Sequence, residues 1–174
     1  MKSDQHRLFL ALWPDEKTRA RLAAVAQQWV HRPVPSANLH MTLVFLGGCD
    51  RDRWRCIDNV VSTIESQPFD INIDYLGSWP HSKTQWLGTS SAPRALGELV
   101  EALGSALLRC DFHPGQQRFV PHVTLSRKEQ HLRTQAGLDV IHWPVHEFVL
   151  AESVSEAEGV HYVVRKRWPL SAST

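Results

Sequence analysis

The sequence predicts an α+β domain built from two similar lobes. Strand-like and helix-like patterns alternate along the 174 residues. One strand–helix–strand unit occurs twice, once with the motif N-L-H-M-T-L and once with V-P-H-V-T-L. Apolar residues make up 43% of the chain and charged residues 21%, which is the balance of an ordinary globular protein. Because this length suits one domain, we expect residues 1–174 to form a single domain of two lobes.

The first half of the chain contains three predicted strands and two predicted helices. A buried strand is expected over residues 6–13, followed by a helix over 15–30 with one apolar stripe. The segment 38–47 is a second strand, and 51–66 is a helix of weaker periodicity. Apolar and polar residues then alternate over 69–75, which indicates a half-buried strand.

The second half repeats this pattern and then adds strands. We expect a strand over 84–89, an amphipathic helix over 96–107 and a strand over 119–126. The segments 143–154 and 160–168 are expected to pair as two strands around a turn. No linker rich in glycine or serine divides the chain, and no short period indicates a solenoid.

Charge and cysteine content exclude several classes of protein. The formal net charge is +1, whereas proteins that grip long nucleic acid by counterion release usually carry a strong basic excess. The three cysteines, Cys49, Cys56 and Cys110, form no C-x-x-C pair and are odd in number. This disfavours both a disulfide framework and a zinc ribbon, and the cytoplasm is the expected location. Neither a signal peptide nor a membrane span is expected.

The repeated H-x-T tripeptide is the candidate for chemistry. Side chains at i and i+2 of a strand share one face, so His40 lies beside Thr42 and His122 beside Thr124. A single H-x-T occurs often by chance, and threonine is common in strands for structural reasons alone. Two copies, each on a strand that follows a helix, favour a shared functional site. If the two lobes face each other, both pairs meet in one cleft.

Two imidazoles and two hydroxyls suit the cleavage of a phosphodiester. One imidazole can act as general base and the other as general acid near neutral pH. The hydroxyls can donate hydrogen bonds to the non-bridging phosphate oxygens. Such a reaction requires no serine or cysteine nucleophile and no metal, and the residues alone do not decide which imidazole is the acid.

The chain resembles the two-histidine (2H) phosphoesterase superfamily, and within it the bacterial RNA 2′,3′-cyclic phosphodiesterases, historically called 2′-5′ RNA ligases. The similar segments are R-L-F-L-A-L-x-P at 7–14, N-L-H-M-T-L-V-F-L-G at 38–47, R-F-V-P-H-V-T-L-S-R at 118–127 and R-W-P-L at 167–170. The resemblance implies a bilobal, pseudo-symmetric fold in which two antiparallel sheets line a central cleft and the helices lie outside. It also implies hydrolysis of a 2′,3′-cyclic phosphate to a 2′-phosphate, with His40 as proton donor and His122 as proton acceptor.

Three further residues are candidates for substrate binding. Arg127 matches the family's phosphate-binding arginine, although strict alternation places it on the face opposite His122 unless the strand ends there. Phe9 and Phe119 are candidates for stacking on a base, although a place in the core is the simpler interpretation for each. The spacing of His142 and His146 resembles a helical metal pair, but Pro144 argues against a helix, so no metal and no cofactor are expected.

The expected partners are RNA ends or small cyclic nucleotides that carry a 2′,3′-cyclic phosphate. No membrane and no obligate protein partner are expected, and the chain is expected to be monomeric. A 2′-5′ RNA ligase would use the same residues in the reverse direction, and a non-catalytic binder of phosphorylated RNA ends is the alternative outside enzymology. The basic run Arg165-Lys166-Arg167 is either a solvated face or a surface that steers RNA toward the cleft.

Overall fold

The computed structural model describes residues 5–171, which form eight strands, three α-helices and two short 3₁₀ turns. The strands are β1 (His6–Leu12), β2 (Met41–Cys49), β3 (Phe69–Trp79), β4 (Thr84–Gly88), β5 (His122–Ser126), β6 (Gln135–Val145), β7 (Glu147–Glu156) and β8 (Gly159–Pro169). The helices are α1 (Glu16–Trp29), α2 (Arg51–Val61) and α3 (Arg94–Leu107), and the 3₁₀ turns are Ser36–Asn38 and Leu108–Cys110.

All eight strands belong to one antiparallel sheet in the order β6-β3-β4-β5-β2-β1-β7-β8. Two four-stranded halves meet at β2 and β5, where the only paired positions are Met41 and Val123. Each half contains one H-x-T motif, which agrees with the predicted two lobes. The resemblance implied two separate sheets, whereas the structure has one continuous sheet that is narrow at its centre.

The helices cover one face of this sheet and leave the other face as the cleft. Asp15 begins α1 by accepting a hydrogen bond from the Thr18 backbone N–H at 2.7 Å, which satisfies one of the free N–H groups of the first turn. Leu22 of α1, Ile57 of α2 and Leu103 of α3 are buried in the main core. A second, smaller cluster lies on the cleft side of the sheet and consists of Phe9, Ala11, Val149 and Ala151.

Strand β6 is missing from the sequence-based prediction, which instead ran one strand across 143–154. The structure divides this segment, since β6 ends at Val145 and β7 begins at Glu147. The first half of β6 is almost fully exposed, so it lacks the apolar alternation that marks a half-buried strand. Pro144, which has no N–H to donate, fits in β6 because β6 is an edge strand with only one neighbour.

The expectation that the cysteines form no disulfide framework needs one correction. Cys56 on α2 and Cys110 after α3 are joined by a disulfide, and Cys49 is free and buried. The two bonded cysteines are 54 residues apart in the sequence, so only the packing of α2 against α3 brings them together. In the part of the chain from residue 5 to residue 171, no helix is long and apolar enough to cross a bilayer.

Candidate active site

The two H-x-T motifs meet where the two halves of the sheet join. Met41 and Val123 face the main core, so the residues on either side of each point to the opposite, open face. Continuing this antiparallel register by one residue places His40 opposite Thr124 and Thr42 opposite His122. Directly opposed side chains of neighbouring strands have Cβ atoms about 5 Å apart. The predicted imidazoles and hydroxyls therefore come together on one face.

The ring of His40 is held in one orientation and one tautomer. Its Nδ1 lies 2.7 Å from the backbone oxygen of Asn38, and because a carbonyl only accepts, Nδ1 carries the proton. Its Nε2 lies 2.9 Å from the Oγ1 of Thr42, which donates to the nitrogen lone pair. The unprotonated Nε2 of His40 thus faces the hydroxyl of its own motif.

The ring of His122 repeats this arrangement in the other half of the sheet. Its Nδ1 donates to the backbone oxygen of Val120 at 2.7 Å, which leaves Nε2 with the lone pair. In both motifs the ring is oriented by the carbonyl two residues earlier in the chain. This shared geometry is the structural counterpart of the repeated sequence.

Both imidazoles are neutral at neutral pH in the free protein. The pKa of His40 is lowered to about 4, mainly by burial and to a smaller extent by the nearby Arg127 and His122, while the Asn38 hydrogen bond opposes the shift. Burial also lowers the pKa of His122, and Arg127 acts in the same direction. The guanidinium of Arg127 therefore acts electrostatically on both rings.

Arg127 lies on the open face because β5 ends at Ser126. Because it follows the strand, Arg127 is not turned toward the core by strand alternation. Its predicted position facing the cleft required this. Arg127 lines a cavity of about 730 Å³ together with His40 and Thr124. Among residues 5–171 it has no carboxylate partner.

The two predicted phenylalanines lie in different environments. Phe9 is on the cleft face, with its ring centroid 5.0 Å from that of His40 and 5.1 Å from that of Tyr162. Phe119 instead packs against the main core, because β5 begins only at His122 and residue 119 lies before the strand. The structure thus brings Phe9 to the site and leaves Phe119 out of it.

Sequence reasoning missed the aromatic residues that enclose each histidine. Trp13 stacks on His40 with the ring centroids 5.3 Å apart, and Tyr162 meets the same ring edge-on at 5.0 Å. Trp79 meets His122 edge-on at 4.5 Å. The exposed Phe45 also lines the cavity. An unusual count of seven tryptophans was the only sequence signal for this enclosure.

The basic run near the end of the chain does not line the cavity. Arg165 is paired with Glu152 at 2.6 Å, Lys166 is paired with Asp58, and Arg167 is paired with Glu147. These contacts join β8 to β7 and to α2, so the run stabilises the fold instead of forming a free patch for RNA.

His142 lies on β6, where its Nδ1 is 3.1 Å from Asn72 and its Nε2 is 3.7 Å from Asp70. It is therefore a strand residue beside β3 and not part of a helical pair. Between residues 5 and 171, no group of three or more metal-ligating side chains comes together.

Similar proteins of known name identify the family of this chain. A family model described as the 2′-5′ RNA ligase superfamily matches residues 11–156, so the chain belongs to that superfamily. A relative from Escherichia coli, named RNA 2′,3′-cyclic phosphodiesterase, is 30% identical over 97% of this chain and 99% of its own length. A protein of the same name from Thermus thermophilus is 30% identical over 94% and 90%.

Solved structures of the E. coli protein LigT confirm the fold. The apo form superposes with a TM-score of 0.88 at 29% identity, covering 98% of this chain and all of LigT. The complex of LigT with 3′-AMP gives 0.89 at 28% identity, covering 97% and 100%. The predicted α+β architecture and family are thus confirmed, apart from the division into two sheets.

Proposed function

We propose that this protein is a metal-independent RNA 2′,3′-cyclic phosphodiesterase that converts a 2′,3′-cyclic phosphate to a 2′-phosphate. The observation that carries the proposal is the pair of oriented imidazoles on one open face, with a guanidinium that acts on both. The names of the relatives support the substrate class. As a member of this family, the chain is an enzyme of the phosphodiester hydrolase type.

The proposed reaction is one in-line displacement at phosphorus. His122 takes a proton from water through Nε2 while the water oxygen bonds to phosphorus. The bond between phosphorus and O3′ breaks, and His40 gives a proton to O3′. Thr42 and Thr124 donate hydrogen bonds to the non-bridging oxygens, and Arg127 balances their charge. The product has a 2′-phosphate and a 3′-hydroxyl, and a proton moved from His122 to His40 restores the enzyme.

His40 must be protonated in the substrate complex to act as the acid. In the free protein the ring is neutral, because burial and the neighbouring charges lower its pKa to about 4. A bound phosphodiester places a negative charge beside the ring, and an opposite charge at that distance favours the imidazolium. Substrate binding thus supplies the missing counter-charge, and proton uptake accompanies binding.

The terminal nucleoside is proposed to lie against Phe9, with Phe45 and Tyr162 completing an aromatic wall. Bases stack on aromatic rings without regard to sequence, because every base has a π face. This wall adjoins His40, so a base that stacks there keeps its ribose beside the reacting phosphorus. Phe119 has no such role in the proposal.

The first test measures hydrolysis of adenosine 2′,3′-cyclic phosphate with a chelator present, and identifies the product as the 2′- or 3′-phosphate. We expect turnover and the 2′-phosphate. His40→Ala and His122→Ala should each lose about 10²- to 10⁴-fold in kcat, the usual contribution of a general acid or base, without loss of folding. No turnover, or full activity in either variant, would reject the proposal.

The second test determines which of His40 and His122 is the general acid and which is the general base. A phosphodiester with a 4-nitrophenolate leaving group needs no protonation of that group. We expect His40→Ala to recover most of its loss on this substrate, whereas His122→Ala should remain inactive. The opposite result would exchange the two roles. A 5′-hydroxyl oligonucleotide added to the same assays would reveal ligation as a longer product.

We further propose that the chain acts as one monomeric domain in the cytoplasm, without an obligate protein partner. Both halves of the site come from one chain and are joined by the Met41–Val123 pair. In a reducing compartment Cys56 and Cys110 are expected as thiols. Alkylation of cell extracts before mass spectrometry would find both labelled, and an oxidised pair would argue against this location.

A further inference from the structure

The cavity extends well beyond His40 along the half of the sheet that contains this residue. Its lining continues past Phe9 to Arg7, Gly47, Ser153, Ser155 and Val160. Thr42 of the first motif lies opposite Ala11 of β1, and Arg7 is four residues further along the same strand. At about 3.3 Å per residue, the backbone of Arg7 lies about 13 Å along β1 from Ala11. This distance exceeds what one cyclic phosphate can occupy.

Arg7 lies at the far end of this groove, where no other described residue balances its charge. It is exposed and lines the cavity. Within residues 5–171 no carboxylate pairs with it. Its neighbour across the β1–β7 pairing is Ser153, a hydroxyl and not an acid. Arg7 and Arg127 are thus two cations of one groove that have no carboxylate partner in the described part of the chain.

The acidic residue next to Ser153 is turned away from Arg7 and is paired with Arg165. Glu152, next to Ser153 on β7, is 8% exposed. Its carboxylate contacts His6 at 2.7 Å and Arg165 at 2.6 Å. By strand alternation it lies on the opposite face of the sheet from Ser153 and Ser155. The groove around Arg7 therefore offers a positive charge and two hydroxyls to an anion.

We propose that Arg7, with Ser153 and Ser155, binds the phosphodiester on the 5′ side of the terminal nucleoside of the RNA. This subsite rests on the proposed function, because it extends the groove that holds the cyclic phosphate. The terminal base then lies on the aromatic wall of Phe9, Phe45 and Tyr162, between the two phosphates. The preferred substrate class is an oligoribonucleotide that ends in a cyclic phosphate, and free nucleoside cyclic phosphates are the poorer substrates.

The test compares three substrates with the full-length protein. They are adenosine 2′,3′-cyclic phosphate, the dinucleotide ApA ending in a 2′,3′-cyclic phosphate, and the same dinucleotide with a neutral methylphosphonate linkage. A charge-assisted hydrogen bond to phosphate predicts kcat/KM about tenfold higher for the charged dinucleotide than for the other two. Equal values for the charged and neutral dinucleotides would overturn the subsite.

Arg7→Gln should remove this preference and leave hydrolysis of the mononucleotide unchanged. Loss of one phosphate contact should also reduce the slope of log(kcat/KM) against log[salt] by about 0.7 for the charged dinucleotide. Arg55→Gln on α2, which removes another exposed guanidinium, is the control and should change neither quantity. If Arg7→Gln weakens both substrates equally, Arg7 has only a structural role and the proposal fails.

A binding experiment separates this proposal from the proposed function. The 2′-phosphate products of the charged and neutral dinucleotides are titrated into the native protein and into Arg7→Gln. Tighter binding of the charged product by the native protein alone supports the subsite even if no substrate is hydrolysed, in which case only the proposed function is rejected. Equal binding of both products by the native protein overturns the subsite even if hydrolysis is fast.

Discussion

Trp86 lies across the cleft face of β3 because the residue opposite it is Gly77. A Cβ atom on Gly77 would come within 2.2 Å of the Trp86 ring, a distance that real contacts do not show. The ring centroid of Trp86 is 5.1 Å from that of Trp79 and 6.1 Å from that of His122. The absence of a side chain at residue 77 thus allows the aromatic packing beneath the imidazole of His122.

Gly77→Ala should therefore displace Trp86 and, through it, the imidazole of His122. We expect a loss of about 1–3 kcal/mol in the free energy of unfolding from overpacking, and a fall in kcat/KM that approaches 10²-fold. Gly97→Ala on α3 is the control, since a Cβ there meets nothing within 4 Å and should stabilise the helix by about 0.5–1 kcal/mol. Urea unfolding and steady-state kinetics measure both variants, and unchanged values in Gly77→Ala would contradict this account.

His40 should make stability depend on pH. Burial lowers its pKa from 6.5 to about 4 in the folded protein, so between these values the unfolded chain binds a proton that the folded protein does not. The contribution of His40 to the free energy of unfolding is therefore fully present above pH 6.5. It is lost as the pH drops toward 4, and the loss is on the order of 3 kcal/mol. His40→Gln should lose less over this range, and His113→Gln, in an exposed loop, controls for the loss of an imidazole. Parallel curves for the native protein and His40→Gln would exclude this linkage.

Local periodicity explains which site residues the sequence could predict. The pairing of His40 with Thr42 and of His122 with Thr124 needs only the two-residue period of a strand. The roles of Arg127 and Phe119 depend instead on where β5 ends and begins, and strand boundaries are the least certain part of a sequence-based prediction. Trp13 and Trp79 reach the imidazoles through tertiary packing, for which no local pattern exists.

The same distinction holds for whole elements. Helix α3 has a continuous apolar stripe, and it was predicted to within two residues of its observed start at Arg94. Strand β6 was missed because its exposed edge position removes the alternation. The Cys56–Cys110 bond was missed because it joins elements that meet only in the folded chain.

The disulfide joins α2 to the turn after α3, on the helical face of the sheet. A bond that closes a loop of 54 residues stabilises the folded state by up to about 4 kcal/mol through the entropy of the unfolded chain. We expect a reductant to lower Tm, and Cys56→Ala/Cys110→Ala to have the lower Tm with or without reductant. Activity should persist in both cases, since the cleft lies on the other face. If the Tm of the native protein is the same with and without reductant, this bond contributes nothing to stability.

At the scale of the whole molecule, the junction of the two halves of the sheet brings His40, His122 and Arg127 together. The charge of Arg127 therefore lowers the pKa of both imidazoles. The pH profile of kcat/KM reports the acid and the base of the free enzyme. Burial lowers the pKa of both His40 and His122 below the usual 6.5, and Arg127 contributes in the same direction. The maximum of a bell-shaped profile lies midway between the two values, so it must fall on the acidic side of pH 6.5.

Arg127→Gln removes a positive charge that disfavours both imidazolium ions, so both limbs of the profile should move to higher pH while the maximum rate falls. Measuring kcat/KM on a dinucleotide cyclic phosphate from pH 4 to pH 9 would show this shift. Arg55→Gln on the helical face changes the net charge by the same amount as Arg127→Gln, but residue 55 lies away from the cleft. Its pH profile should coincide with that of the native protein. If both limbs of the Arg127→Gln profile stay at the same pH as in the native protein, Arg127 does not lower the pKa of the two imidazoles, and this account of the site is wrong.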